Sequence, residues 1–293
     1  MAIIFDSPSK PPKGKSNKPD GPKGPRIFTP PPVGIGPRNE TLDRRIRNIE
    51  ALDQGVFTGN LLASYLALPG LVGFWPMSSV QRSTGNVYDL SGQDRTLTYN
   101  GNPAFTYHNG LIPYIDLDGT GDYLSRADET DLDILGNESI FTTAAAGLTM
   151  GCWFNPTNLA TSFQSLMTKG LNTGAGDSYR LFNNSGVLLG QIFNGGTAYA
   201  ASTTIPAATT WYFAALRFVP STSVDVWLNG TKASNTTSIP ATITNSTAAF
   251  QIGALNGGSF YIGKMCLCFL CANNLGDDLI SSLYRQGRIF FGS

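Results

Sequence analysis

From Leu71 onward the chain is written in short apolar or alternating runs, each closed by Gly, Asn, Ser, Thr or Asp, and this rhythm predicts β-strands joined by tight turns. The clearest runs are GLVGFW (70–75), IPYIDLD (112–118), GLTMGCWF (147–154), SLMTKG (165–170), YRLFN (179–183), VLLGQIF (187–193), WYFAALRFV (211–219), SVDVWLN (223–229), AFQIGAL (249–255) and SFYIGKMCLCFL (259–270). In SVDVWLN, alternation sets Val224, Val226 and Leu228 on one face and Asp225, Trp227 and Asn229 on the other, with Asn229-Gly230 as the turn. Such runs without helices between them predict an all-β fold: a two-sheet antiparallel sandwich or jelly roll, with Trp75, Trp153 and Trp211 near its core or edge.

Helical periodicity is confined to the flanks. Asn39 can cap a helix through Asp53, with Leu42, Ile46 and Ile49 on one stripe. That spacing is also a coiled-coil seam of under two heptads, so it reads either as an amphipathic helix lying on a neighbour or as part of a homo-oligomer such as a trimer. A second helix is expected over 60–68, with Leu61, Leu62, Tyr65 and Leu66 on one side and Pro69-Gly70 as its stop. Near the end, Asp277 can cap a turn or two carrying Leu279, Ile280, Leu283 and Tyr284.

Residues 1–38 show neither period. They hold ten of the eighteen prolines, with Lys10, Lys13, Lys15, Lys18, Lys23, Arg26 and Arg38 set against Asp6 and Asp20 alone. This composition cannot bury a core and reads as polyproline II or disorder. The chain is formally neutral, so the basic arm leaves a mildly acidic remainder. An arm of this kind reads as a docking strap, with Lys10, Lys13, Lys15, Lys18, Lys23 and Arg26 as its anchoring charges toward an acidic partner surface. Its lysines lack interleaved aromatics, which disfavours nucleic acid. The expected organisation is therefore an arm at 1–38, a helical connector at 39–69 and a sandwich at 70–293.

No segment approaches the ~20 apolar residues of a membrane span, and the opening MAIIFDSPSKPPKGK has too short an apolar run for a secretion signal. Six Asn-x-Ser/Thr matches carry little weight in a chain this rich in Ser, Thr and Asn. Cys152 stands alone, whereas Cys266, Cys268 and Cys271 cluster in KMCLCFLC. In a regular strand Cys266 and Cys268 share a face and Cys271 takes the other, a poor geometry for pairing, so four buried free thiols are expected.

Nine runs in order, YLALPGLVGFWPM (65–77), VYDLSGQDRTLT (87–98), IDLDGTGDYL (115–124), GLTMGCWFNP (147–156), SLMTKG (165–170), WYFAALRF (211–218), DVWLNGTK (225–232), FQIGA (250–254) and LGDDLISSLYRQG (275–287), resemble the laminin-G-like domain of the concanavalin A-like jelly-roll superfamily. The resemblance covers roughly residues 65–290. It implies binding, usually of glycans or proteins, through rim loops or a sheet face. It also implies a possible calcium site among Asp89, Asp94, Asp118 and Asp122, although DLSG and DLDGTGDY equally explain these residues as turn formers. No other cofactor is expected.

Jelly-roll glycosidases need paired carboxylates on a strand, and Glu40, Glu50, Glu129 and Glu138 all fall in helix or loop context. One histidine, no Gly-x-Ser-x-Gly elbow and no phosphate loop leave other hydrolase and nucleotide readings without parts, so no enzyme is expected. Candidate ligand loops are 155–162, 171–178 with Asp177, 194–203 with Tyr199, and 256–259. Tyr199 could stack on a sugar or pack against its own sheet. A binding sandwich behind a basic, proline-rich strap with no secretion signal points to a bacteriophage virion protein, a decoration, fibre or adhesion component that meets capsid or tail subunits through its arm and host glycans through its sandwich. The alternative is an extracellular or cell-surface glycan-binding protein of a bacterium.

Overall fold

The computed structural model describes residues 59–78, 80–81, 85–136 and 146–292. The arm, the helix expected at 39–53, and Glu138 lie outside the described residues. Seventeen strands are described: β1 Leu71–Trp75, β2 Val80–Gln81, β3 Asn86–Val87, β4 Leu97–Asn100, β5 Ala104–His108, β6 Ile112–Asp118, β7 Tyr123–Arg126, β8 Leu148–Pro156, β9 Gln164–Gly170, β10 Asp177–Asn184, β11 Val187–Asn194, β12 Thr197–Thr204, β13 Tyr212–Val219, β14 Ser223–Leu228, β15 Thr231–Asn235, β16 Phe250–Ile252 and β17 Ile262–Cys271. They form two antiparallel sheets. Sheet A runs β15-β14-β13-β8-β17-β6-β5, with β1 also on β17, and sheet B runs β12-β11-β10-β9-β16-β7-β4-β3-β2. Neighbours far apart in sequence, such as β8 beside β17 and β16 beside β7, are the crossovers of a jelly roll.

The sheets meet face to face. Trp75 of sheet A stacks on Phe250 of sheet B at 5.3 Å, and Gly190 of β11 lies so close to Leu216 of β13 that a Cβ would sit 2.7 Å from its Cδ1. Trp75, Trp153 and Trp211 are all buried, as expected.

The outer face of sheet A is covered too. The C-terminal helix Asp277–Phe291 lays Ile280, Leu283, Gly287 and Phe291 against it. Phe291 stacks on Trp153 at 4.2 Å and meets Trp211 at 4.8 Å. Asp277 is not the cap expected of it: Gly276 takes that position, and the Asp277 carboxylate instead binds Arg217 at 2.7 Å and Lys232 at 2.5 Å. Those two cations hold its pKa down, the Lys232 hydrogen bond most strongly. The helix runs fifteen residues rather than a turn or two, and its second half has apolar surface to pack on: Trp153 meets Tyr284 and Phe291, and Trp211 meets Phe291. Asp225 and Trp227, on the face opposite Val224 and Val226, are buried too: Arg217, itself bound by Asp277 of the helix, pairs with Asp225 at 2.7 Å and lies over the Trp227 ring at 4.7 Å.

The helix expected at 60–68 is found at Gly59–Leu66, and it belongs to the sandwich core rather than to a free connector. Tyr65 stacks on Phe74 at 4.9 Å and meets Phe269 edge-on at 5.6 Å. Ser64 Oγ donates to Gln286 Oε1 at 2.5 Å, so this helix and the C-terminal helix touch.

The four cysteines are free and buried. Their expected face parity is overturned by a bulge: Cys266 opposes Trp153, but Phe269 opposes Gly151 and Cys271 opposes Thr149. One extra residue, with Leu267 at φ 51°, shifts β17 by a register step and returns Cys271 to the face of Cys266. The loop expected at 194–203 is overturned as well, since Thr197–Thr204 is edge strand β12, paired with β11 along its length.

Candidate functional site

With a helix over sheet A, the face of sheet B turned away from the core is the place to look for a ligand. Register defines what it carries. Asn86 opposes Thr98, Thr98 opposes Ser125, Ser125 opposes Gln251, and Gln251 opposes Thr168. Thr168 then opposes Arg180, Arg180 opposes Gln191, and Gln191 opposes Ala200. Directly opposed residues share a face, so these eight form one transverse row across eight strands. The rows on either side, Phe250-Lys169-Tyr179-Ile192-Tyr199 and Tyr99-Leu124-Ile252-Met167-Leu181-Gly190, point into the sandwich. The row itself is polar but for Ala200 and holds no carboxylate.

The segment 253–258 crosses the middle of the row. Thr168 Oγ1 donates to Ala254 O at 2.6 Å, and Gly257 N–H donates to Gln251 Oε1 at 3.2 Å. On one side lie Ser125, held by Asn100 Nδ2 at 3.0 Å, and the Tyr123–Phe260 ring pair at 6.0 Å. On the other lies Arg180. Its Nε donates to Gln191 Oε1 at 2.6 Å, and its guanidinium carbon sits 5.0 Å from the Phe182 ring centre and 4.7 Å from that of Phe193. Burial lowers the Arg180 pKa and nearby Asp177 opposes the shift. Phe163, 46% exposed, extends the strip by stacking on Phe182 at 5.7 Å and 4°. A separate cavity of 370 Å³ opens at the β4–β5 connection, lined by Tyr99, Gly101, Asn102, Pro103, Ala104 and Phe105.

The residues singled out from sequence take other places. Tyr199 opposes Ile192 and packs against the core, so it is neither in a loop nor on the outer face. Asp177 is buried, and its oxygens accept N–H groups of Asn172 at 2.6 Å and Gly174 at 3.0 Å, closing its own turn. Asp89 accepts four hydrogen bonds, from Phe74 N, Ser91 N, Ser91 Oγ and Arg95 N. Asp118 caps Thr120 N at 2.6 Å, and Asp122 accepts Asn102 N at 2.8 Å. Asp118 thus closes its own turn, while Asp89 and Asp122 also tie their turns to Phe74 and Asn102, and among the described residues Asp89, Asp94, Asp118 and Asp122 do not converge with one another or with other acidic, His or Cys groups into a cluster of three or more. The densest acidic stretch, 128–133, is matched by protein cations: Lys169 binds Asp128 and Asp133, Arg95 binds Glu129 and Asp131, and Arg126 binds Glu129. The anchoring residues Lys10, Lys13, Lys15, Lys18, Lys23 and Arg26 lie outside the described residues. Among the described residues no helix is long and apolar enough to cross a membrane.

Sequence reading missed Arg180, Gln191, Phe163 and the row as a whole. The signal was present as a polar residue between larger neighbours in LTY, LSR, FQI, MTK and YRL, but only register joins them.

Comparison with known proteins agrees with the architecture. The receptor-binding domain of a botulinum neurotoxin C/D mosaic serotype superposes with a TM-score of 0.57 at 10% identity, over 74% of this chain and 51% of that one. The binding domain of botulinum neurotoxin serotype G gives 0.56 at 11%, over 74% and 51%, and that of Paraclostridial Mosquitocidal Protein 1 gives 0.56 at 12%, over 74% and 52%. The chain thus spans about half the length of these domains, and at such identity the likeness is one of fold. No curated protein matches the chain in sequence. Residues 118–266 match the Laminin_G_3 model, and the chain therefore belongs to that family of the concanavalin A-like lectin/glucanases superfamily.

Proposed function

We propose that the chain is a non-enzymatic structural protein of a bacteriophage particle, tethered by its Pro/Lys-rich arm and displaying a laminin-G-like domain that binds glycans on the outer face of sheet B. The observation that carries the binding role is the pair of open stretches of the polar row on either side of segment 253–258, each with aromatic rings beside it: the hydroxyls of Thr98 and Ser125 on one side, and the Gln191 amide and Arg180 guanidinium on the other, can exchange hydrogen bonds with sugar hydroxyls while rings cover apolar sugar faces. Hydrolysis of a glycosidic bond needs two flanking carboxyl groups, and the row offers none. The particle role rests on the composition of residues 1–38, which suits a strap along other virion subunits, with the chain present in several copies. A second reading, an extracellular glycan-binding protein of a bacterium, draws support from the likeness to toxin receptor-binding domains.

Two measurements test this. Full-length protein on an array of bacterial surface polysaccharides should bind a subset without shortening it. Antibody to the chain should label particles purified by density gradient. Silence on the array removes the glycan reading, and label confined to soluble or cell-surface fractions replaces the virion reading with the second.

A further inference from the structure

Arg180 differs from the closely ion-paired cations of the fold. Lys169, Arg95, Arg126 and Arg217 each meet a carboxylate at 3.3 Å or closer. The nearest to Arg180 is Asp177 at 4.0 Å, and that carboxylate is already committed to two backbone N–H groups. Only Nε has a hydrogen-bond partner among the described residues, and this bond fixes the plane of the guanidinium. The two terminal nitrogens are left with their donors uncommitted on a side chain that is 13% open. A fork of this kind, held by packing over two rings, is suited to bidentate pairing with a carboxylate or sulfate.

The second observation is Phe163. It sits at φ 54°, a region a bulky residue adopts only when its surroundings impose it. The loop before it is braced by buried Gln164, whose Nε2 donates to Asn158 O at 2.8 Å and Thr161 O at 3.2 Å. This bracing leaves the Phe163 ring half in solvent, parallel to Phe182 and one ring away from the guanidinium. A strained backbone that exposes an apolar ring does nothing for the core.

We propose that Arg180, Gln191 and Phe163 form a subsite for an acidic saccharide. Its carboxylate or sulfate pairs with the Arg180 fork, a neighbouring hydroxyl meets the Gln191 amide, and a sugar face lies on Phe163. The inference rests on the glycan-binding reading and names the class of sugar.

The test uses full-length protein and matched oligosaccharides: a neutral form, its uronic-acid counterpart and its sulfated counterpart, with affinity measured by calorimetry at two salt concentrations. The wild type should prefer at least one acidic form by roughly ten- to a hundredfold, with the preference shrinking in high salt. The acid arm and the sulfate arm show which anion fits. Arg180→Gln should abolish the preference and leave neutral binding in place. Arg180→Lys, which keeps charge but loses the fork, should retain only part of it, and Phe163→Ala should weaken all three ligands. Unchanged thermal melting of each variant separates these effects from misfolding. Equal affinity for neutral and acidic forms, or a preference that survives Arg180→Gln, overturns the subsite while leaving glycan binding intact. Binding of none of the three overturns both.

Discussion

Single residues carry much of the specificity of this fold, and Gly287 is the sharpest case. It lies inside a helix, where alanine ordinarily gains about 1 kcal/mol over glycine. Here a Cβ would overlap the Trp153 indole. Gly287→Ala should therefore destabilise by about 1–3 kcal/mol through overpacking, read as a lower denaturation midpoint in urea. A gain in stability would show that the helix and Trp153 can move apart. His108 gives a pH dependence. Its ring stacks on Phe291 and meets Trp211 edge-on, both at 5.5 Å. Burial, assisted by Lys264, lowers its pKa from 6.5, partly opposed by a hydrogen bond with the Phe290 backbone. The unfolded chain then takes up the proton first as pH falls. The contribution is whole above about pH 6.5 and is lost as pH drops through the lower folded value. Melting temperature should fall slightly between pH 7 and 5, and His108→Gln should flatten that slope.

At the level of elements, strands written as mostly apolar runs were legible, because both their faces are largely buried and most positions agree; β6, β8, β13 and β17 are of this kind. The short strands β2, β3, β4, β5, β7 and β15 were not, and neither was β12, whose alanines and threonines read as loop when only one neighbour supports them. The bulge at Leu267 was illegible for another reason: no local residue preference demands a left-handed leucine, and only the paired strands on both sides hold it there. The candidate site suffered most, since its members are scattered from Asn86 to Gln251 and are united by hydrogen-bond register alone. One element can be removed to test its role. Ending the chain at Gly276 would bare Trp153, Trp211 and Phe213 and leave Arg217 without Asp277. Such a protein should aggregate during expression or bind a hydrophobic dye strongly, whereas a well-behaved monomer would mean that the helix is an accessory.

For the molecule as a whole, arm and sandwich should be separable in stability. Residues 1–38 offer little apolar surface, so deleting them should leave the melting temperature nearly unchanged. Extending the deletion through Leu68 removes Leu61, Leu62 and Tyr65 from the core and should lower it by several degrees. Equal loss in both truncations would indicate that the arm itself packs on the domain.

The contact between Ser64 and Gln286 fixes more than the two helices. It gathers both ends of the folded unit beside sheet A, while the polar row faces out from sheet B. Wherever such a unit is held through the chain preceding Gly59, its point of attachment and the polar row lie on opposite sides. Many copies mounted on one surface would then turn their faces outward together. A sugar contact too weak to hold one copy becomes, across an array, a grip that can exceed the single affinity by roughly 10²–10⁴, because the second and later contacts form at high effective concentration.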